Sequence, residues 1–353
     1  MDIQHIQTPA LILDLDVFDR NCTKMQSFLD GTNMRLRPHY KSNKCTAIAH
    51  MQMDKGAKGI TCAKLSEAQD LIESGIEDVL IANQITDAKK IADLAALAKC
   101  CHLTVAVDSA ENILELQRAA ELEDSVIHCL VEYEIGMKRC GVATPEEFYA
   151  LADQIDRCNH LVFEGVQAYA GHLSHETDKS IRETESDGVE KRLKELYDYV
   201  ESKGLHIKEI SGSSTGTIQF RKADSMYTEI QAGSYVFMDM AYNELGLTFE
   251  NSLFVLSTVI SKNQGATIVD AGRKSVSVDQ AMPEFKEFPG VKLKVSEEHS
   301  CSLANDLDTK IGDKLRLIPG HCCTTMNLHD WIYLVRGEKV IDKVPVTSRG
   351  KSI

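Results

Sequence analysis

The stretch PHYKSNK, residues 38–44, places Lys41 directly after a segment with the composition of a short strand. Most lysines are solvated surface charges, and Lys41 could be one of them. A lysine that is partly desolvated at the end of a buried strand loses proton affinity, and its amine could then form a Schiff base with an aldehyde cofactor. Lys41 is therefore the first candidate for a reactive residue, whereas Lys44 keeps the surface interpretation.

Other segments carry groups that could hold or tune such a cofactor. Arg139 lies in GMKRCG, and Tyr169 and His172 lie in QAYAGH. The segments SGSSTGT (211–217) and QAGSY (231–235) offer glycines and hydroxyls, whose N–H and O–H groups could surround a phosphate. Gly/Ser/Thr clusters are more often plain turns. An aldehyde-binding lysine together with a phosphate cradle nevertheless indicates pyridoxal 5′-phosphate (PLP).

The segment GHCCTTMN, near the end of the chain, contains a possible metal site. If this segment is extended, His321 and Cys323 alternate along it and point to the same side. Two protein ligands would leave positions open for water or substrate, as in a catalytic metal site. A lone H-x-C pair is more often two half-buried side chains, so the spacing alone leaves both interpretations open.

These residues need elements that bring them together, and the chain supplies a regular alternation of strand-like and helix-like segments. The strand candidates are LRPHY, KGITCA, DVLIAN, LTVAVD, VIHCLVEYEI, VFEGVQAYA, IKEISG and YTEIQAG. The helix candidates between them are SEAQDLIESG, ITDAKKIADLAALAK, SAENILELQRAAEL, TPEEFYALADQI and VEKRLKELYDYVESKG. Eight such units favour a parallel (β/α)8 barrel of the TIM type over an open sheet, and chemistry then lies where the strands end.

The pattern changes from about Asn251. The segments LFVLSTVISK, GATIVDAG, SVSVD, VKLKVS, DKLRLI and DWIYLVRGEKV follow one another with turn residues and no intervening helices. This pattern predicts an antiparallel β domain. We therefore expect a cofactor-binding barrel over residues 13–242 and a β domain over 243–353 that carries the metal pair, with residues 1–12 joining the β domain.

Composition limits the partners and the compartment. The chain has 353 residues, a formal charge of −14 and a sequence pI near 5.3, which argues against nucleic acid as a ligand. The first residues have no basic region, and Asp14 and Asp16 interrupt their apolar run, so neither a signal peptide nor a membrane span is expected. The eleven scattered cysteines fit reduced thiols, and we expect a cytoplasmic protein.

The ordered set of motifs resembles a known family. TPALILDLD, RPHYKSNK, VEYEIGMKRCGV, GVQAYAGH, STGT, TEIQAGSYVFMD, IVDAG, SEEH and IPGHCCTTMNLHDW span nearly the whole chain. Together they are similar to the fold-type III PLP enzymes of the D-threonine aldolase and D-serine dehydratase group. That group has an alanine racemase-like barrel and a C-terminal β domain, and the resemblance implies a homodimer that acts on small D-amino acids.

The resemblance also implies roles for individual residues. Lys41 would bind the cofactor aldehyde, Arg139 would contact the pyridine nitrogen, and Tyr169 would lie beside the ring as a further catalytic candidate. Because an arginine stays protonated, the ring nitrogen would remain unprotonated and the cofactor would be a weaker electron sink. A divalent metal would bind His321 and Cys323 close to the cofactor. The phosphate would be held by Gly212, Thr215, Gly216, Thr217, Gly233, Ser234 and Tyr235.

Three positions depart from the family pattern. The aldolases carry aspartate where this chain has Cys323, whereas the dehydratases carry cysteine, whose soft thiolate favours zinc over manganese or magnesium. The aldolases read QAYHG where this chain has Ala170, so one candidate base is missing, and His172 or His175 could replace it. Asn43 stands where both subgroups usually have histidine.

The site residues favour β-elimination, in which a D-serine or D-3-hydroxyaspartate dehydratase gives a keto acid and ammonia. Zinc could take the substrate hydroxyl as it leaves, whereas retro-aldol cleavage needs a base for the hydroxyl proton. The alternative is therefore a D-threonine aldolase reaction that gives glycine and an aldehyde. A non-catalytic PLP-binding protein is less well supported, because such barrels typically lack the β domain and the H-x-C segment.

Overall fold

The computed structural model describes residues 1–303 and 307–353, which form two compact units. One unit contains Met1–Gln26, Ser42–Ala47 and Ser234–Gly350, and the other contains Ser27–Lys41, Ile48–Gly233 and Lys351–Ile353. Among the described residues, no helix combines the length and the apolar character that crossing a membrane would require.

The elements occur in the following order. The strands are β1 (Ala10–Asp14), β2 (Arg35–Leu36), β3 (Ile60–Cys62), β4 (Asp78–Ile81), β5 (His102–Val107), β6 (Ile127–Glu132), β7 (Leu161–Ala168), β8 (Glu209–Gly212), β9 (Glu229–Ile230), β10 (Leu253–Asn263), β11 (Ala266–Val269), β12 (Glu284–Phe285), β13 (Leu293–Val295), β14 (Ser300–Ser302), β15 (Lys314–Ile318), β16 (Trp331–Arg336) and β17 (Lys339–Pro345). The helices are α1 (Leu15–Leu29), α2 (Thr46–Asp54), α3 (Leu65–Glu73), α4 (Ala88–Leu97), α5 (Ala110–Glu123), α6 (Pro145–Asp156), α7 (Lys179–Ser202), α8 (Met240–Asn243) and α9 (Cys322–Met326).

Eight parallel strands form the barrel unit, in the order β2-β9-β8-β7-β6-β5-β4-β3. The two end strands are also joined, because His39 and Thr61 form a parallel bridge and the Thr61 N–H donates to the Pro38 carbonyl at 2.9 Å. Each strand overlaps one of the eight predicted segments, and β2, β5 and β7 begin one residue earlier than predicted, so the predicted (β/α)8 fold is confirmed. The strands form where short apolar runs are buried between turn residues.

The helices of this unit begin where the sequence offers a capping side chain. Asp87, Ser109 and Asp178 accept backbone N–H groups of the first turns of α4, α5 and α7. Thr144 and Glu147 form a capping box in front of α6. Helix α7 begins at Lys179, ten residues before the predicted segment, because its Asp178 cap was not recognised in the sequence.

The other unit contains a nine-stranded sheet in which β1 lies between β10 and β16. Its main order is β13-β14-β11-β10-β1-β16-β17, and β15 pairs with β10 and β12. The pairs are antiparallel except β1 with β16, which confirms a mainly antiparallel domain. Its core includes Ile12, Phe254, Leu256 and Val335. The prediction that no helix interrupts these strands is wrong at α9, which follows β15.

Charged side chains fill the amino-terminal end of the barrel. Asp78 and Glu229, the first residues of β4 and β9, lie 2.7 Å and 3.0 Å from the buried Arg37 guanidinium. Lys58 pairs with Glu229 and, at 2.7 Å, with Glu209, the first residue of β8. Buried charges of this kind are tolerated only when they are paired, so these ion pairs fix the strand ends relative to one another.

Glu229→Gln should destabilise the barrel in a pH-dependent way. Burial opposes ionisation of Glu229, but Arg37 and Lys58 outweigh it and lower the pKa of Glu229 from 4.5 to about 2. A carboxylate whose pKa is lower in the folded than in the unfolded chain stabilises the fold at pH values above the unfolded-state pKa. That contribution is lost as the pH falls from the unfolded-state pKa through the folded-state pKa. In urea unfolding at pH 7 the variant should lose about 3 kcal/mol, and the loss should shrink between about pH 4.5 and pH 2.

The control is Glu195→Gln, which removes an exposed carboxylate 4.0 Å from Lys191. It should change the unfolding free energy by less than about 1 kcal/mol at either pH. An equal loss for Glu229→Gln at pH 7 and pH 2.5 would contradict the assignment to ion pairing.

Candidate active site

A cavity of about 200 Å³ lies at the carboxyl-terminal end of the barrel strands, where the sequence predicted the chemistry. Lys41 Nζ lies 4.9 Å from the centroid of the Tyr169 ring, and the Arg139 guanidinium lies 5.9 Å from the same centroid. The structure therefore brings three predicted residues together. The cavity is lined by His39, Lys41, Ala63, Ala82, Asn83, Arg139, Gln167, Tyr169 and Gln231.

Lys41 is positioned by the turn that follows β2. Tyr40–Ser42 form a single 3-10 turn, and the side chain of Tyr40 is fully buried. The Lys41 backbone N–H donates to Nδ1 of His39 at 3.3 Å. A buried ring and a hydrogen bond thus hold the backbone that leads into the lysine, and the side chain of Lys41 reaches into the cavity.

Sequence reasoning missed His39, although it is two residues before Lys41. Burial is the main cause that moves the pKa of His39 well below 6.5, and the charges of Lys41 and Arg139 add to it. The imidazole is therefore neutral, and because Nδ1 accepts the Lys41 N–H, its proton is on Nε2. Its position in a buried strand end beside a candidate lysine was the signal that could have identified it.

Arg139 combines a surface ion pair with a position at the cavity. Its guanidinium lies 3.8 Å from Glu132, and 47% of the side chain is exposed. Burial raises the pKa of Glu132, against the opposing effects of Gln84 and Arg139. Gln84 donates to the same carboxylate at 2.6 Å. The pair therefore orients the arginine without burying it, which leaves the guanidinium free to face a ligand.

The loop after β8 has the features of a phosphate site. The Ser214 N–H donates to Thr217 Oγ1 at 3.1 Å, which folds the loop back on itself. A Cβ at Gly216 would lie 2.3 Å from the Ser174 carbonyl oxygen, so only glycine fits there. The hydroxyl of Thr215 is buried and has no hydrogen-bond partner among the described residues. Because buried polar groups are normally paired, this hydroxyl fits a ligand such as the PLP phosphate.

The remaining predicted phosphate residues lie at the end of the barrel sequence and just beyond it. Gly212 ends β8 packed against the Ala168 carbonyl, and Gly233 follows β9. Ser234 and Tyr235 are buried in the next 3-10 turn, where the Tyr235 ring packs edge-on against Phe249 at 5.8 Å. Ser234 Oγ lies 3.7 Å from Cys323 Sγ, so this residue contacts the predicted metal pair.

His172 is placed away from the cavity. Its side chain is exposed, and its ring lies so close to Gly136 that a Cβ there would be 2.6 Å from it. Tyr169, by contrast, donates to or accepts from Ser174 Oγ at 3.2 Å and forms part of the cavity wall. Ala170 is buried at the start of a short turn. The structure therefore places no imidazole from this loop among the residues that line the cavity.

The predicted metal pair is formed in a different way from the one expected. His321 precedes α9 and Cys323 lies in its first turn, so the prediction of an extended segment is wrong. The helix forms because the Asp239 carboxylate accepts the Cys322 N–H at 2.8 Å and Thr325 bonds back to the His321 carbonyl. The Cys323 sulfur still interacts with the His321 ring, so the two residues are brought together.

Asp279 is a further residue of this site that sequence reasoning missed. Its carboxylate lies 2.9 Å from His321 Nδ1 and accepts a hydrogen bond from Thr324 Oγ1 at 3.0 Å. Burial alone would lower the pKa of His321, but Cys323 and Asp279 outweigh it and raise the pKa to about 9. A carboxylate on one ring nitrogen is typical of metal-binding histidines, so the donor set fits a divalent metal. No local sequence signal links Asp279 with His321.

Asn43, the third departure from the family pattern, has a local structural role. Its Oδ1 accepts the Cys45 N–H at 3.0 Å, and its side chain is buried. Asparagine commonly stabilises a turn in this way.

Comparisons with known proteins agree with this architecture. Residues 13–241 match the alanine racemase N-terminal domain, and residues 252–335 match the putative serine dehydratase domain. The chain is 38% identical to 3-hydroxy-D-aspartate aldolase from Paracoccus denitrificans (strain Pd 1222), covering 99% of this chain and 94% of the relative. It is 29% identical to D-threo-3-hydroxyaspartate dehydratase from Delftia sp. (strain HT23), covering 91% and 92%.

A solved structure is similarly close. The crystal structure of D-threonine aldolase from Filomicrobium marinum matches with a TM-score of 0.95 and 36% identity, covering 99% of this chain and 98% of that one. The barrel, its lysine-lined cavity and the second sheet define the class of fold-type III PLP enzymes. The chain belongs to this family, within its D-threonine aldolase and D-serine dehydratase group, and is a lyase.

Thr215→Val tests the phosphate loop without relying on activity. The substitution keeps the shape of the side chain and removes a hydroxyl that has no hydrogen-bond partner within residues 1–303 and 307–353, so the melting temperature of the apoenzyme should not fall. A lost hydrogen bond to a charged phosphate should raise the dissociation constant of PLP by about 10-fold. Titration of the apoenzyme with PLP, followed by visible absorbance, measures this constant.

Thr217→Val is the matched control. Its hydroxyl accepts the Ser214 N–H and lies 3.1 Å from Ser213 Oγ, so its loss should lower the melting temperature of the apoenzyme. Unchanged PLP affinity in Thr215→Val would contradict the assignment of this loop.

Proposed function

We propose that this lyase uses PLP and a divalent metal to dehydrate a D-3-hydroxy amino acid, which gives a keto acid and ammonia. The observation that carries this proposal is the pairing of Cys323 with His321, whose ring is held by Asp279. A thiolate and an imidazole favour zinc over the manganese or magnesium that carboxylate ligands prefer. Elimination of a hydroxyl group needs an acid that assists its departure, and zinc would supply one as a Lewis acid.

The barrel residues support the cofactor assignment. Lys41 would hold the aldehyde, Arg139 would face the pyridine nitrogen, and the loop containing Thr215 and Gly216 would hold the phosphate. When bound, PLP supplies the electron sink that makes the substrate Cα–H acidic. A permanently charged Arg139 facing the ring nitrogen would keep that nitrogen unprotonated and would limit the sink, which favours reactions that need only modest stabilisation of a carbanion.

Proton transfer at Cα is assigned to Lys41. Its Nζ lies 4.9 Å from the centroid of the Tyr169 ring, in the cavity that Arg139 also lines, so a free amine there could reach a bound substrate. The neutral ring of His39 holds the lysine backbone instead, because its Nδ1 accepts the Lys41 N–H. The hydrogen bond of the Lys41 backbone thus positions the proposed base at the end of β2.

The loop after β7 places no second base at the cavity, and this also supports elimination. Retro-aldol cleavage begins with removal of the hydroxyl proton, which needs a base near that hydroxyl. Position 170 is alanine, and His172 lies exposed against Gly136. A metal bound by His321 and Cys323 would instead polarise the hydroxyl group as it leaves.

Retro-aldol cleavage is the second candidate, because overall similarity favours it. The relatives at 38% and 36% identity are named 3-hydroxy-D-aspartate aldolase and D-threonine aldolase, whereas the dehydratase relative is at 29%. We give more weight to the groups that would contact the substrate, since one fold supports different chemistries. The homodimer implied by the sequence resemblance remains part of the proposal.

Product analysis separates the two reactions in one experiment. The enzyme, loaded with PLP and either zinc or manganese, is incubated with D-serine, D-threonine or D-3-hydroxyaspartate. Dehydration should give equal amounts of ammonia and keto acid, with a higher rate in zinc than in manganese. The L-enantiomers serve as controls and should give no product.

Glycine and an aldehyde as the main products would overturn the dehydratase proposal and establish the aldolase. Equal rates with and without a chelator would remove the metal from either mechanism.

A further inference from the structure

Two histidines and a glutamate meet at the amino-terminal end of the barrel, away from the cavity that contains Lys41. His102 is the first residue of β5, His128 is the second residue of β6, and Glu164 lies in β7. His102 Nε2 lies 3.3 Å from Glu164 Oε2, and His128 Nδ1 lies 3.1 Å from Glu164 Oε1. One ligand atom from each residue lies within 4.8 Å of the others, so three potential metal ligands converge.

An irregularity in β7 aims Glu164 at the histidines. The register with β6 changes from Cys129 opposite Phe163 to Leu130 opposite Gly165, so Glu164 is an extra residue in the ladder. Gly165 has a φ of +150°, and a Cβ there would lie 1.9 Å from the Glu209 carbonyl oxygen. Bulges of this kind redirect a side chain and often occur at functional sites. The backbone is therefore shaped around the position of this carboxylate.

The carboxylate of the cluster is charged and suits a cation. Burial would raise the pKa of Glu164, but the two imidazoles lower it well below its ordinary value, so the carboxylate is ionised. His128 Nδ1 is buried and lies 3.1 Å from Glu164 Oε1, but the angles of this contact are not those of a hydrogen bond. In the described part of the chain Nδ1 therefore has no hydrogen-bond partner. The centroids of the two imidazole rings lie 3.8 Å apart, and the ring planes are tilted by 39°. An unpaired buried nitrogen beside an ionised carboxylate is what a metal ligand presents before the metal binds.

The donors converge around one point. His102 Nε2 lies 3.3 Å from Glu164 Oε2, His128 Nδ1 lies 3.1 Å from Glu164 Oε1, and one ligand atom from each residue lies within 4.8 Å of the others. Neighbouring ligands of a tetrahedral ion with bonds of about 2.0–2.2 Å are about 3.3–3.6 Å apart, so small side-chain shifts would bring one atom of each residue onto a shared ion. Two imidazoles and one carboxylate form a donor set suited to zinc, and the exposed side of His102 leaves a route for the ion and for a water ligand.

We propose that His102, His128 and Glu164 bind one divalent transition-metal ion of the zinc class, separate from the metal assigned to His321 and Cys323. The ion links β5, β6 and β7 at the end of the barrel that usually serves stability rather than catalysis. Lys208 competes with it, because its Nζ lies 3.2 Å from Glu164 Oε1 while 62% of its side chain is exposed. Removing that amine should therefore strengthen metal binding.

Zinc counting tests the proposal in the full-length chain. Protein stripped with a chelator is loaded with zinc ion, desalted and analysed for zinc per chain by mass spectrometry. His321→Ala combined with Cys323→Ala removes the other assigned site, and this double variant should still retain one zinc ion. Adding His128→Ala should abolish that binding. If only the site assigned to His321 and Cys323 binds no zinc, both the wild type and the double variant should contain one zinc ion.

The control is His206→Ala, because Nδ1 of His206 lies 2.8 Å from Glu201 Oε1 in an exposed pair outside the cluster. It should leave the zinc content unchanged. The double variant binding no zinc, or keeping its zinc after His128→Ala, would overturn the proposal. If His128→Ala does not fold, Lys208→Gln decides: severalfold tighter zinc binding in the double-variant background supports the site, and unchanged or weaker binding overturns it.

Discussion

The closure of the parallel strand ladder through His39 and Thr61 is the constraint on which the barrel chemistry depends. It makes all eight strands point in one direction around a ring, so that their carboxyl ends meet at one face. His39 takes part in this closure and also accepts the backbone N–H of Lys41. The hydrogen bonds that complete the barrel therefore also place the amine that would hold the cofactor. A shift of this register would move Lys41 relative to Arg139 and Tyr169.

The two ends of the barrel have different chemistry for an electrostatic reason. At the amino-terminal end, carboxylates that begin β4, β8 and β9 are neutralised by Arg37 and Lys58, so strong pairing gives stability. At the carboxyl-terminal end, Lys41 and Arg139 share a cavity with amides, a neutral histidine and a tyrosine ring. Glu132, 3.8 Å from Arg139, offsets part of this positive charge, and the remainder favours an anionic cofactor and substrate.

The fold could be predicted from sequence because local patterns carried most of it. Eight buried apolar runs between turn residues predicted eight strands, and Lys41, Arg139 and Tyr169 were identified because each follows one of those strands. The errors arose where distant residues decide local structure. His321 and Cys323 were expected in an extended segment, but Asp239, which is 83 residues away, caps a helix there. Asp279 lies 42 residues from His321, and no local pattern relates the two.

The proposed function depends on Lys41 as the residue that holds the cofactor aldehyde at the end of β2. Borohydride reduction of the PLP-loaded enzyme, followed by proteolysis and peptide mass spectrometry, identifies this residue, because reduction fixes the cofactor to the lysine that holds it. We expect a pyridoxyl group on Lys41 and none on the neighbouring Lys44. A pyridoxyl group on Lys44 or on any other lysine would contradict this assignment. An enzyme that retains the visible absorbance of PLP but carries no label would also contradict it.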